Sequence, residues 1–344
     1  MVRHLLNTLF VTNKESYLSL DNENISISIE GNVVKKLPLK LFEQILYFGY
    51  RGASPALLGA CAQLGISFCF YKPSGRFLTR VTAQNNSNVI LRKEQYRISD
   101  DEQRSCKIAR NFIVTKIYNS RSVLSRARRD HALVVNVDNI AESEHEMLRL
   151  ARLAKNCTDL AVLRGLEGDA ASLYFGQFNE LILQKKDFFK FNCRIKRPPT
   201  DAVNALLSFA YTILANDCAS ALEGVGLDPY VGFLHRDRPG RMSLALDLME
   251  EFRSVIADRC VLTLINNRML NEKVFEVQEN GAVLLTDEGR RIFLDTWQKR
   301  KKDIVIHPFL GEKVPVGVLP FVQAQLLSRC LRGDLEEYPG YMWK

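Results

Sequence analysis

The hydrophobic period of this chain changes once, and that change limits the fold more than any other feature. Before the polar stretch Ala83–Asn88, "AQNNSN", apolar residues alternate with polar ones. "HLLNTLFVT" and "SYLSLDNENISISIEGNVVKKLPL" read as strands broken by Asn, Asp and Gly turns. "SPALLGACAQLG" reads as a single helix, with Ser54 at the N-cap, Pro55 at the first helical position and Gly65 at the stop. "ISFCFYKPSGRFLTRV" returns to a hairpin around Pro73-Ser74-Gly75. After Asn88 the alternation ends and helical spacing takes over. "SDDE", Ser99–Glu102, reads as a capping box for a long amphipathic helix. Further helices follow through "AESEHEMLRLARLAK", from Thr158 or Asp159, and from Thr200. The reading is an α+β protein with a domain of mostly antiparallel strands over 1–84 and an all-helical domain over 88–344.

The 344 residues include eight cysteines, none in a C-x-x-C pair and most inside apolar runs. They read as small buried hydrophobes of a reduced, cytosolic protein. The apolar part of the N-terminus is too short for a signal peptide, and no uninterrupted apolar run spans a bilayer. The expectation is a soluble protein with no membrane partner. The formal net charge is +8, which favours a polyanionic partner without choosing one.

"GFLHRDRPGRMSLALDLMEEFR", Gly232–Arg253, carries the densest candidate chemistry. His235 stands in a Gly/Pro/Arg loop. If a helix runs on from Ser243, then Asp247, Glu250 and Glu251 fall at i, i+3 and i+4 on one face, opposite a stripe of Leu244, Leu248, Phe252, Val255 and Ile256. Stacked carboxylates repel, so solvent, Arg253 or a cation must offset them. The plain alternative is a solvated acidic face. One imidazole with carboxylates also suits Mn²⁺, Mg²⁺ or Zn²⁺. Glu167, in "LRGLEGDAA", is a further candidate because Gly165 and Gly168 bracket it. Two glycines weaken a helix by up to about 1 kcal/mol each, which makes sense if a ligand or another backbone packs close. Ordinary helix packing explains them equally.

Three basic clusters are candidates for phosphate contacts: Arg121, Arg126, Arg128 and Arg129; Arg194, Lys196 and Arg197; and Lys299–Lys302. There is no P-loop, dinucleotide fingerprint, H-E-x-x-H or G-x-S-x-G. NTPases, dinucleotide enzymes, common zinc proteases and α/β-hydrolases therefore lose ground.

"LRGLEGDAASLYF", "RPPTDAVNALLSFAYTIL" and "GFLHRDRPGRMSLALDLMEEFR", in this order, resemble the three signature segments of CRISPR-associated protein one, the spacer-acquisition integrase. The tail "VLPFVQAQLLSRCLRGDLEEYPGYMWK" is similar to the type I-C subtype. The resemblance implies a cytoplasmic prokaryotic DNA endonuclease and integrase that depends on Mg²⁺ or Mn²⁺ and inserts spacer DNA into a repeat array by transesterification. It implies Glu167, His235 and Glu250 as metal ligands and catalytic residues, with Asp247 nearby as an alternate ligand or a support. It offers Arg253 as a phosphate contact and Asn204 as a recurrent polar residue of the second segment; with Arg197 of the second basic cluster these are the candidate DNA contacts. It also implies a homodimer paired through the strand-rich domain. The implied partners are double-stranded DNA, CRISPR-associated protein two and CRISPR-associated protein four. The rivals are a plain metal-dependent endonuclease and a non-catalytic DNA-binding scaffold.

Overall fold

The computed structural model describes residues 7–73, 77–81 and 89–343. The expected linker Ala83–Asn88 and the Ser74–Gly75 part of the expected turn lie outside them.

Among the described residues seven strands come first: Thr8–Val11 (β1), Ser16–Asp21 (β2), Asn24–Ile29 (β3), Asn32–Pro38 (β4), Gln44–Phe48 (β5), Ser67–Tyr71 (β6) and Phe77–Val81 (β7). Helix Pro55–Gln63 (α1) joins β5 to β6. Ser54 caps α1 by accepting a hydrogen bond from Leu57 N at 3.2 Å, and Gly65 leaves the helix at φ +69°. Strands β2, β3 and β4 form an antiparallel meander. The other sheet has the order β1-β5-β6-β7, with β1/β5 and β5/β6 parallel and β6/β7 antiparallel. The expectation of mostly antiparallel strands fails for this sheet. The meander and α1 act as crossovers, and a crossover is what parallel neighbours require.

The two faces of this sheet serve two cores. Ile45, Tyr47 and Phe68 pack with α1 and the meander, whereas Leu46, Phe48, Cys69 and Tyr71 belong to the core of the helical part. Polar ties reinforce the second contact. Gln44 Nε2 donates to Asp217 at 2.9 Å, Ser67 and Ser220 hydroxyls meet at 2.9 Å, and Arg80 pairs with Glu223 at 2.6 Å. The strand-rich segment is thus seated on the helices over a full sheet face.

Nine helices follow among the described residues: Val89–Asp100 (α2), Glu102–Asp130 (α3), Val137–Lys155 (α4), Leu160–Gly176 (α5), Ala202–Gly224 (α6), Ser243–Met249 (α7), Arg259–Asn266 (α8), Asp287–Lys301 (α9) and Leu319–Leu331 (α10). Helix α3 starts at Asp101, whose Oδ1 accepts from Gln103 N and Arg104 N, and not from a Ser99 box; Ser99 Oγ instead donates to Gly232 O at 2.7 Å. Asp159 caps α5, and Asp201, one residue after Thr200, caps α6. The part from 88 onward is not all helical. It holds two small hairpins, Phe275–Val277 (β8) with Val283–Leu285 (β9), and Ile304–Ile306 (β10) with Lys313–Pro315 (β11). Helix α6 bears on the expectation of no bilayer-spanning run: it is long and apolar enough to cross a membrane, with a mean hydropathy of 1.3, yet 78% of that window is buried inside the protein. Its apolarity is that of a central core helix on which the sheet, α7 and α10 pack.

Candidate active site

Asp247, Glu250 and Glu251 do not share one helix face. Helix α7 ends at Met249, and Arg253–Asp258 then forms a π-helical turn before α8. A π turn adds a residue to the ring and rotates the residues downstream of it, a distortion common at functional sites. The three carboxylates precede that turn: Asp247 lies within α7, Glu250 and Glu251 lie in the irregular turn 250–252 just after it, and they point to three different sets of partners.

Asp247 is fully buried and holds the histidine loop. Its Oδ2 accepts from Phe233 N at 2.7 Å and Leu234 N at 2.9 Å, and its Oδ1 accepts from His235 N at 3.0 Å. The same Oδ1 lies 2.6 Å from His235 Nδ1. That bond fixes the ring and leaves Nε2 as the outward nitrogen. Gly232 is required here: a Cβ would sit 2.8 Å from Ser243 Cβ and 2.9 Å from Asp247 Oδ2. Arg164, one turn before Glu167 on α5, donates Nε and Nη2 to Leu234 O at 3.0 and 2.9 Å. Helix α5 is thereby tied to the residue next to His235.

Glu250 meets two cations. Arg253 Nη1 donates to its Oε1 and Oε2 at 2.9 and 3.1 Å, and Lys116 Nζ stands 2.6 Å from Oε2. The Lys116 ammonium also makes a very short ion pair with Glu167. Burial opposes ionisation of Glu250, but Arg253, Lys116 and His235 together hold its carboxyl well below the usual carboxylate range. Glu167 and Glu250, from two separate helical segments, therefore converge on one positive charge carried on α3. Among the described residues, no three His, Cys, Asp or Glu side chains form a ready-made metal shell. The point between the two carboxylates belongs to Lys116.

Glu251 turns away, to the C-terminal segment. Tyr338 OH donates to its Oε1, Tyr341 N to its Oε2 at 2.7 Å and Gln323 Nε2 to its Oε2 at 2.9 Å. Burial pushes its pKa up to about 7 against these three donors. Asp258, at the end of the π turn, accepts from Tyr211 OH at 2.5 Å and Tyr174 OH at 3.0 Å, and burial pushes it up to about 6.

The expected DNA contacts fare differently. Arg197 is exposed. Arg253 is 13% exposed and is committed to Glu250 and to the Tyr211 ring, 4.4 Å away. Asn204 is fully buried and its amide is fully used: it accepts from Arg194 Nη1 and Ile195 N at 2.7 and 3.0 Å, and donates to Cys193 O and Asp201 Oδ2 at 2.9 and 2.6 Å. It fastens the Cys193–Ile195 segment to the start of α6, where no DNA strand reaches it. Gly165 and Gly168 face open space, with nothing within 4 Å of a Cβ at either, so no backbone packs against them. Much of the basic clusters is spent internally: Arg128 on Glu144, Arg126 and Arg129 on Asp130, and Lys301 on Asp217.

The sequence pattern alone did not single out Lys116 or Arg164. Lys116 left a signal, because helical spacing places it one turn from Phe112, Ile113 and Ser120 on the buried stripe of α3. A lysine there needs a buried anion.

Comparison with known proteins adds family evidence. The family model described as "CRISPR associated protein Cas1" matches residues 9–299. A CRISPR-associated endonuclease Cas1 of Chlorobaculum tepidum is 45% identical over 344 residues, covering 100% of both chains. Among solved structures, a casposase bound to integration product superposes with a TM-score of 0.84 at 22% identity, covering 98% of this chain and 94% of that one. A Cas6-RT-Cas1–Cas2 complex superposes with a TM-score of 0.80 at 22% identity, covering 100% of this chain and 37% of that one. The fold, the matched span and the full-length likeness agree: this chain belongs to the CRISPR-associated Cas1 family.

Proposed function

We propose that this protein is a divalent-metal-dependent DNA integrase that inserts spacer DNA into a CRISPR array. The observation that carries the reading is the convergence of Glu167 and Glu250 on one cation, close enough to an imidazole held by Asp247 for its charge to act on Glu250. The Lys116 ammonium stands in for a cation there, and two carboxylates with an imidazole nitrogen form a donor set suited to Mg²⁺ or Mn²⁺. Glu167, Glu250 and His235 would hold the ion. When bound it would supply Lewis-acid stabilisation of the attacked phosphate and the departing oxygen. The chain's own residues do the rest. Asp247 sets the imidazole tautomer and its direction. Arg253 keeps Glu250 charged against its burial, and the same contact holds it in one rotamer.

In strand transfer, a 3′-hydroxyl of incoming DNA forms a bond to a phosphate of the repeat. The bond from that phosphate to its own 3′-oxygen breaks, and the proton lost by the attacking hydroxyl ends on the departing oxygen. One phosphodiester replaces another, so no nucleotide hydrolysis is needed, in keeping with the absent P-loop. The same step with water is endonuclease chemistry, which is the name the Chlorobaculum relative carries. The structural likeness to a casposase on its integration product supports the joining reaction. Likeness to Cas1 within a Cas2-containing complex supports Cas2 as a partner. We also read the chain as a type I-C protein of the prokaryotic cytoplasm, assisted by Cas4.

Branched DNA that mimics a half-integrated fragment tests the reading in reverse. With Mn²⁺ or Mg²⁺ the purified protein is expected to release the flap and reseal the duplex, giving a longer labelled strand on a denaturing gel. Shortened strands alone, across metals and salt concentrations, would make it a plain nuclease. No new strand with any metal, while DNA is still bound, would leave the scaffold reading.

The homodimer reading needs an amended interface. The alternating strand "ISISI" is β3, and β2 and β4 already pair with both of its edges. Strand β4 is the exposed edge, with Val33 and Val34 each 55% exposed. The expectation is a dimer joined through β4. Replacing both valines with lysine should give a folded monomer by sedimentation, and an unchanged dimer would place the interface elsewhere.

A further inference from the structure

Among the described residues, Arg259, which opens α8, has a ring contact but no hydrogen-bonding or ionic partner: its guanidinium lies over the Trp343 ring, 4.4 Å from the centroid. Burial, together with Arg300 and Arg126, pushes it down to about 10. Arg126 approaches the same ring, at 5.5 Å. Arg300 donates Nη2 to Val255 O at 2.7 Å, while its Nε is buried without a partner. The nearby carboxylates are few. Asp130 is held by Arg126 and Arg129, and the exposed Asp303 acts on Arg259 and Arg300. Positive charge is in excess.

Arg126 and Arg259 border a cleft of about 230 Å³ between α3 and α8, with Asp130, already paired with Arg126 Nε at 3.2 Å, and Thr263, Asn267 and His131 also on its wall. A partly buried guanidinium with unused donors is costly unless something accepts from it. The fork of N–H groups matches the oxygens of a phosphate better than any other common anion except a carboxylate. An anion belongs at the Arg126–Arg259 end, because the far end holds the C-termini of α3 and α8, whose free carbonyls repel it. Trp343 stands behind Arg259, its ring covered by the two guanidinia, and holds the Arg259 plane in place. Arg126 also stands ten residues beyond Lys116 on α3, about 15 Å along the helix axis. That is within a few nucleotides of the candidate active site.

We propose that the Arg126–Arg259 end of this cleft, with Arg259 held by Trp343, binds one backbone phosphate of a nucleic-acid strand whose reacting end lies between Glu167 and Glu250. The proposal rests on the DNA reading above, and its test separates the two. Binding of single-stranded and branched DNA to the full-length protein is measured over a range of salt concentrations. Arg259→Gln is expected to weaken binding about tenfold or more and to lower the slope of log K against log salt by about 0.7–0.9, the value of one lost phosphate. Arg259→Lys keeps the charge but not the fork, so it should keep the slope and lose part of the affinity. Because Trp343 touches Arg259, its fluorescence should respond saturably to inorganic pyrophosphate, and the response should vanish in Arg259→Gln; Trp343→Phe supplies the background of the buried Trp297. If folded Arg259→Gln and Arg259→Lys both bind DNA with wild-type affinity and slope, the pocket is wrong and the DNA reading stands. If the wild type binds no DNA, both fall, and a surviving pyrophosphate response would mark a free-phosphate site instead.

Discussion

Glu250→Gln is expected to bind DNA like the wild type and to transfer strands at least about 10²–10³-fold more slowly. The substitution keeps the shape and removes the charge. An amide nitrogen then faces the Lys116 ammonium and the Arg253 guanidinium, where two oxygens had accepted at 2.6–3.1 Å. Glu167→Gln should cost as much activity but less stability, since its side chain is 28% exposed and that of Glu250 only 5%. For Glu250→Gln a loss of about 1–3 kcal/mol is expected from the mismatched donors. Asp247→Asn should be milder in rate, about 10–100-fold, because it acts through the orientation of His235. Rates on the branched substrate, Mn²⁺ binding by calorimetry and thermal melts separate these effects. A Glu167→Gln protein with the wild-type rate and Mn²⁺ affinity would remove the site assignment.

The sequence spoke clearly where one physical rule acted locally. The change of period marked strands from helices, and Ser54, Asp159 and Gly65 bounded their helices because caps and left-handed glycines act within one turn. Caps were misplaced by one or two residues where two polar candidates stood together, as at Ser99/Asp101 and Thr200/Asp201. The parallel sheet was not legible. Strand β5, "QILYF", is buried on both faces, so it shows no alternation, and its neighbours β1 and β6 are distant in sequence. Among the site residues, spacing brought the acids of 247–251 onto one helix face, and the end of α7 at Met249 undid that face. No glycine or proline in "DLMEEFR" marks that end. Asn204 shows the opposite error: a polar residue in a signature segment looked like a contact and is a buried brace.

The C-terminal segment is expected to matter as much as the site it supports. Asn119, one turn after Lys116 on α3, donates to Glu251 O and Tyr341 O at 2.8 Å each and accepts from Trp343 N at 2.8 Å. Gln323 on α10 donates to Glu251, Tyr338 OH and Pro339 O, and its Oε1 meets His307 Nε2 at 2.9 Å. Residues 338–343 thus bind together the helix that carries Lys116, the segment that carries Glu250, and α10. All of this closing strap lies beyond residue 299, where the family model ends. Glu251→Ala would leave Tyr338 OH and Tyr341 N without an acceptor, while Gln323 Nε2 keeps Tyr338 OH and Pro339 O, and is expected to cost about 1–3 kcal/mol for each of the two orphaned donors. Asn119→Ala should cost about 1–3 kcal/mol. Both should also slow strand transfer well below their melting temperatures, because a displacement of about 1 Å in a reacting group can cost 10²-fold. Urea unfolding gives the stabilities, and rates on the branched substrate at low temperature give the second effect. A variant elsewhere in the fold, matched in melting temperature, should keep its rate. If Glu251→Ala keeps wild-type stability, the strap is not holding the site. If it is destabilised and yet transfers strands at the wild-type rate, the strap serves the fold alone, and Lys116 and Glu250 are held by α3 and the π turn without it.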